Sequence, residues 1–447
     1  MLIEFKVKNF LSFQQEETLN LIAGKGRNFN DRVCKDGYLK ILKFASLFGA
    51  NGSGKSNFVK AIAFSQNYIV NGNNRAIINK YYKLSPMSKG EVSTFEYKIK
   101  VKDKIYTYGF EIILSKNEIV HEWLIQNNSR NAELIYEHSR DTNIFTLGKC
   151  FKNSDLRNRL MLYADSLDSG NSTLFLNSIN KYNNLFVEFP EVNMLRNVFG
   201  WFLNKLKVKH PDSIISDYAY FLSDENMDEL LNFFKDFDLS ISYYEFIQCP
   251  KEQIALKLPK EVFDDLIANI EKNIFGDKNK SGSNNVMFGL ADDLYIAKNI
   301  DGVIKFETLQ FYHENKSVPF HMYEESDGTK KIFKLLEILF QKDNDVVYIV
   351  DEIDRCLHPL LTYNFVNAFL NKAKTMNCQL IVTTHESLLL DFKLLRKDEV
   401  RLITKKSGSS KIDSLGDTQV RADKILIKEY LAGKNGIPNI KNDAYKT

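Results

Sequence analysis

The chain has 447 residues, 44% of them apolar and 26% charged, enough for two or three domain-sized units with an ample core. A formal net charge of +3 over that length excludes a global field that would draw the protein to nucleic acid or to a membrane surface. Cys34, Cys150, Cys249, Cys356 and Cys378 are scattered, odd in number and without a CxxC pair, which argues against a disulfide framework or zinc site and fits the cytoplasm, and no apolar run is long enough for a membrane span.

Leu2 to Lys8 alternates with period two, Asn9-Phe10-Leu11-Ser12-Phe13 turns the chain, and a second extended piece ends near Leu21, so the chain opens as a β-hairpin. An apolar run from Ile41 to Phe48 leads into Gly49-Ala50-Asn51-Gly52-Ser53-Gly54-Lys55-Ser56, and a helical pattern follows from Asn57, with Phe58, Ile62 and Ile69 near one face. Strand, glycine-rich loop, helix is the context that a phosphate-binding loop requires and that an incidental glycine-rich turn lacks. The glycines let backbone N–H groups converge, and the helix adds its positive N-terminal end. The expected nucleotide-binding residues are Gly49, Asn51, Gly52, Ser53, Gly54, Lys55, Ser56 and Asn57. Lys55 would reach the β- and γ-phosphates, and the Ser56 hydroxyl would take one place on Mg²⁺.

From Ser93 to Leu114 alternation predicts a half-buried antiparallel sheet, continuing from Ile119 to Gln126. Between about 155 and 275 the pattern is helical in short pieces, such as Met194 to Lys207 and Met227 to Phe237, without sustained heptads; this predicts a compact insertion and no coiled-coil arm. Asp277 to Asn285 reads as a polar tip. After Phe311 come a helix from Thr329 to Gln341, a strand Val346 to Val350, a helix from about Leu360 to Lys374, and strands Gln379 to Thr383 and Val400 to Thr404. Apolar strands alternating with helices imply a parallel sheet built from one early strand, leading to Gly49, and several late ones. The fold class expected is α/β, divided as 1–125 (first half of the nucleotide-binding head with an antiparallel lobe), 126–310 (a mainly helical insertion) and 311–447 (second half).

Val346 to Val350 ends in Asp351-Glu352, two carboxylates at the carboxyl end of a buried strand, where ligands sit in open α/β sheets. A solvated acidic turn is the bland alternative; beside a phosphate loop, Asp351 is assigned to Mg²⁺ and Glu352 to orienting and deprotonating the nucleophile. Upstream, Glu325-Ser326-Asp327-Gly328-Thr329 opens an amphipathic helix, where Ser and Thr serve either as caps or as an anion site. His385 follows the strand Ile381-Val382-Thr383-Thr384 and could donate a hydrogen bond to a γ-phosphate.

Phosphate loop, ESDGT, DEID, LHP and TTHES in this order resemble the ABC-type ATPase heads of the RecF, SMC and OLD group, and specifically the AAA-family ATPases of bacterial abortive-infection and PARIS-type antiphage systems. The opening hairpin, Thr173-Leu174-Phe175-Leu176, Trp201-Phe202 and the closing Tyr430 to Pro438 share in the resemblance. It implies an ATP- and Mg²⁺-dependent head that hydrolyses ATP as a sandwich between two copies, with Ser326, Gly328 and Thr329 acting in trans. Cys356-Leu357-His358-Pro359 would then cross between the two sites, and His385 would be the switch histidine. The sequence departs from the commonest signature at Asp327, where Gly is usual, and at Thr329, where Gln is usual. Gln66 and Gln126 both remain open as the Q-loop glutamine.

The function implied is a sensor and scaffold in an antiphage system. It would hold an effector encoded nearby, a nuclease or other toxin, until a trigger such as a phage protein releases it. The alternative is a RecF- or SMC-like ATPase that binds DNA in recombination or repair; near-neutral charge and missing heptads count against it. Only about forty residues follow the last core strand, too few for an added metal-dependent nuclease domain.

Overall fold

The computed structural model describes residues 1–417 apart from 27, 38, 73–77, 129–130, 168–171, 214–218, 223, 276–284, 291–292 and 315–316. The closing segment Tyr430 to Pro438 and nearly all of the polar tip expected from Asp277 lie outside the described residues. Contacts divide the chain into two units: Met1–Pro211 with Lys342–Asp354 and Phe365–Thr447, and Asp212–Gln341 with Arg355–Asn364.

The first unit is built on a six-stranded sheet in the order Leu206–Lys209, Val347–Val350, Gln379–Thr384, Phe44–Phe48, Val400–Lys406, Ser409–Ser414. The first five strands are parallel and the last returns antiparallel. Phe44–Phe48, Val347–Val350 and Gln379–Thr384 are buried at every position, as strands covered on both faces must be. Their register pairs Thr384 with Phe48 and Val350 with Val382, so Gly49, Asp351 and His385 leave the sheet at one edge.

A second, antiparallel sheet of seven strands runs Ile144–Leu147, Ala132–Ser139, Glu118–Asn127, Lys104–Ile113, Ser93–Val101, Leu2–Lys8, Glu17–Asn20, so the opening hairpin is the end of the antiparallel lobe. The helix Lys55–Asn71 packs its apolar stripe on this lobe: Phe58 meets Phe5 edge-on at 5.5 Å, and Phe64 stacks on Phe10 at 5.3 Å. Each fully buried Phe contributes about 2 kcal/mol from burial. Gln379 ties the two sheets together, accepting from Leu2 N and donating to the Leu2 and Leu42 carbonyls.

Two sequence expectations are corrected in this unit. Met194 to Lys207 is helical only as far as Lys205: after the α-helix Asn193–Gly200 and the π-helical stretch Trp201–Lys205, Leu206–Lys209 becomes the edge strand of the parallel core. The core therefore takes one strand from the region expected to be wholly inserted, and four residues are too short a window for periodicity to reveal it. Lys205, Lys207 and Lys209 lie at and along this strand; Lys205 pairs with Asp343 at 3.2 Å and Lys209 is buried.

The second unit sets a sheet beside its helices. It holds a five-stranded antiparallel sheet in which Tyr243–Cys249, Val303–Tyr312, Asp293–Ile300 and Asn285–Leu290 are neighbours in that order and Pro319–His321 also pairs with Val303–Tyr312. The helix Asp327–Phe340 packs on it through Phe333, stacked on Phe311 at 4.8 Å. The expected divisions at 125/126 and 310/311 thus differ from the contact boundaries, because residues up to Pro211 pack with the nucleotide-loop helix and the antiparallel lobe. Among the described residues no helix is long and apolar enough to cross a membrane.

Candidate functional site

The phosphate loop owes its shape to glycines. At Gly49 a Cβ would stand 2.3 Å from the Ile403 carbonyl oxygen, so no side chain fits, and Gly52 and Gly54 have φ of 75° and 115°, open to glycine. The loop closes on itself: Ser53 N donates to Ala50 O at 3.1 Å, and Lys55 Nζ donates to Gly49 O at 2.8 Å and Ala50 O at 3.1 Å. Burial pushes the Lys55 ammonium down to about 8, while Asp351, Asp354 and Glu352 pull it upward. Ser53 Oγ is buried and has no hydrogen-bond partner among the described residues. A buried hydroxyl on a glycine loop and an ammonium parked on that loop's own carbonyls make a donor set suited to a polyphosphate.

The carboxylates meet this loop. Ser56 Oγ donates to Asp351 Oδ1 at 3.2 Å, and Thr383 Oγ1 donates to the same oxygen at 2.5 Å. Thr383 Oγ1 in turn accepts from Glu352 N at 2.8 Å, so one hydroxyl fixes both residues. Glu352 has a φ of 50°, a left-handed conformation uncommon for a residue other than glycine. Ser56 and Asp351 lie where a divalent cation could take an oxygen from each, and their hard-donor chemistry fits Mg²⁺.

His385 N donates to both oxygens of Asp354 at 3.3–3.4 Å. Burial chiefly, then the Lys55 charge, holds the imidazole below its ordinary value, against the upward pull of Asp354, Glu352 and Asp351. Lys55, Asp351, Glu352, Asp354 and His385 therefore share one electrostatic neighbourhood although 330 positions of chain separate the first from the last.

Asn57, expected at the nucleotide, is held from the side in the free chain. Its amide donates to Ser12 Oγ at 2.9 Å, and Ser410 Oγ reaches Ser12 Oγ at 2.8 Å and Ser53 O at 2.6 Å. The hairpin turn, the phosphate loop and the last core strand are joined by three side chains, and Asn57 serves that joint. Asn51 is exposed on the loop. Ser12, Thr383, Asp354 and Ser410 escaped sequence reasoning; the doubled Thr before His385 and the fourth residue of DEID were the available signals for two of them.

The Glu325–Thr329 segment belongs to the second unit. Ser326 is the N-cap of Asp327–Phe340, its Oγ accepting from Thr329 N at 3.1 Å and lying 2.8 Å from Thr329 Oγ1, so in the single chain Ser326 caps the helix and Thr329 bonds the cap. At Gly328 a Cβ would stand 3.1 Å from the Cys356 carbonyl oxygen, which ties the glycine to the Cys356-Leu357-His358-Pro359 loop of the same unit. Asp327 is exposed. Of the open glutamines, Gln66 donates to the Phe202 and Leu206 carbonyls and Gln126 bonds Lys104 and Asn128 on the antiparallel lobe; these contacts tie neither to the phosphate loop.

The sequence matches the family described as "AAA domain, putative AbiEii toxin, Type IV TA system" over residues 44–156 and 204–391, which spans both the phosphate loop and the segment from Ser326 to His385. A comparison with curated proteins returns no match. Among solved structures, an SMC head bound to the C-winged helix domain of ScpA is 15% identical, covering 92% of this chain and 97% of that one with a TM-score of 0.43. The SMC head domain from Thermotoga maritima is 13% identical, with coverage of 94% and 99% and a TM-score of 0.34. An Smc head with an extended coiled coil, bound to the C-terminal domain of ScpA derived from Pyrococcus furiosus, is 15% identical, with coverage of 96% and 99% and a TM-score of 0.39.

Proposed function

The chain belongs to the AbiEii-type AAA domain family, and from that premise we propose that it is a Mg²⁺-dependent ATPase serving as sensor and scaffold of a bacterial abortive-infection system. The observation that carries the reading is the meeting of Lys55, Ser56, Asp351, Glu352 and His385 at one edge of the parallel sheet. Lys55 would exchange its loop carbonyls for β- and γ-phosphate oxygens. Ser56 and Asp351 would hold the cation, which supplies charge neutralisation across the two phosphates. Glu352 would orient a water in line with the γ-phosphorus and take its proton, and a neutral His385 would donate to a γ-phosphate oxygen, its backbone held by Asp354.

Ser326, Gly328 and Thr329 of a second copy would close over the nucleotide, giving a homodimer or higher assembly. Conversion of the Ser326–Thr329 cap into phosphate contacts is the change this requires. The partner held in the cytoplasm would be an effector encoded nearby, released when a phage component acts on the assembly. Calorimetry of Mg-ATP with the full chain tests the first step: the expected result is one site per chain, weakened at least tenfold in Lys55→Ala. No heat with the wild type would overturn the proposal. Duplex DNA added to the same preparation should leave turnover unchanged; salt-sensitive stimulation would favour a DNA-acting ATPase instead.

A further inference from the structure

His313 lies just beyond the strand Val303–Tyr312 and its ring is held on three sides within the second unit. Nδ1 is 3.2 Å from the Ser240 carbonyl oxygen, Nε2 is 3.0 Å from Glu325 Oε1, and Phe320 meets the ring edge-on at 4.9 Å. A carbonyl oxygen has no proton to give, so Nδ1 must donate. The neutral ring then has only a lone pair at Nε2, facing a carboxylate. Two acceptors at that distance repel unless a proton lies between them, on the ring as imidazolium or on Glu325 as the acid. Either way the pair carries one proton beyond a neutral histidine and an ionised glutamate, and it is the extra proton that closes the clamp.

Glu325 is the residue immediately before the N-cap Ser326, and its side chain is only 5% exposed. The other charged groups that face it are Glu324, in the preceding turn, and Lys330, in the first turn of Asp327–Phe340. On the ring's other sides stand the Ser240 carbonyl and Phe320, neither ionisable; Ser242 Oγ also bonds the His313 carbonyl oxygen. We propose that His313 is a positioning residue for the Ser326–Thr329 segment, holding it in register through a proton shared with Glu325, so that loss of that proton loosens the segment. This rests on the reading that Ser326, Gly328 and Thr329 close over nucleotide in a second copy.

Long-range proton–nitrogen NMR of the full chain carrying ¹⁵N-histidine, with His313→Ala to assign the signal, tests the clamp without reference to activity. The expected state at neutral pH has Nδ1 protonated; a neutral ring protonated at Nε2 alone would overturn the proposal. In Glu325→Gln the amide NH₂ can donate to Nε2 of a neutral ring, so the clamp should close without the extra proton. At saturating ATP, wild-type kcat should fall as rising pH removes the shared proton, Glu325→Gln should turn over without that fall, and His313→Ala should lose about tenfold in kcat with little change in KM. Equal losses in Glu325→Gln and His313→Ala, or an unaltered kcat in His313→Ala, would sink the positioning role. A wild type that neither binds Mg-ATP nor turns over would instead overturn the ATPase reading and the positioning role with it, while the NMR would still report the pair as a structural contact.

Discussion

At the Lys55 ammonium two demands oppose each other: the loop buries it, which favours the neutral amine, while three carboxylates and any incoming triphosphate favour the charge. With its free-state value lowered to about 8, the group loses its proton as pH rises from 7 to 9, and nucleotide must restore it. Mg-ATP affinity should therefore weaken above pH 8, and binding at pH 8.5 should take up a fraction of a proton, seen as heat that varies with the buffer's ionisation enthalpy. Lys55→Ala should abolish that uptake; uptake persisting in the variant would assign it to another group. Thr383 is the other residue on which the site turns, because one hydroxyl serves Asp351 and Glu352 together. Thr383→Val, which keeps the shape and removes the hydroxyl, should lower kcat by about tenfold or more while the fold persists, as judged by an unchanged far-ultraviolet spectrum.

Among elements, the short turn Lys397–Glu399 ahead of the strand Val400–Lys406 carries a cost of its own. Glu399 is fully buried and accepts from Arg396 N, and burial pushes its carboxyl up to about 7 despite the nearby Arg32 and Arg396. A carboxyl raised in the folded state binds its proton more tightly there than in the unfolded chain. Its contribution is thus fully present below the ordinary glutamate value and is lost as pH rises through about 7. Glu399→Gln should remove this dependence: the wild type should lose on the order of 2 kcal/mol more than the variant between pH 4.5 and 8, measured by denaturant unfolding. Parallel pH profiles for the two proteins would refute the assignment. The Ser12–Ser410–Asn57 joint acts at the same scale, since it seats the phosphate loop against two elements distant in sequence.

For the molecule as a whole, the two units are interleaved in the chain, and the residues expected to bind nucleotide are shared between them: the phosphate loop, carboxylates and His385 in one, Ser326, Gly328 and Thr329 in the other. The proposed sandwich of two copies would make this division productive, and it predicts that Glu352→Gln with Mg-ATP accumulates an associated species in analytical ultracentrifugation while the same protein without nucleotide does not. The variant's turnover should fall by about a thousandfold with binding retained. Association that ignores nucleotide would count against the sandwich.

The amino-acid sequence by itself determined the parts whose chemistry is contiguous: the glycine loop between strand and helix, the paired carboxylates closing an apolar strand, the opening hairpin and the alternation of the antiparallel lobe. Each is legible because a local period or a local turn requirement is written in adjacent residues. Tertiary structure alone decided that Leu206–Lys209 joins the parallel core, that a five-stranded sheet fills much of the second unit, that Asn57 turns to Ser12, and that Thr383 links the Asp351 carboxylate to the Glu352 backbone N–H. The physical reason is the same in each case. A four-residue edge strand, a hydroxyl or an amide has many equivalent local uses, and only the burial of partners brought together from distant parts of the chain selects one of them.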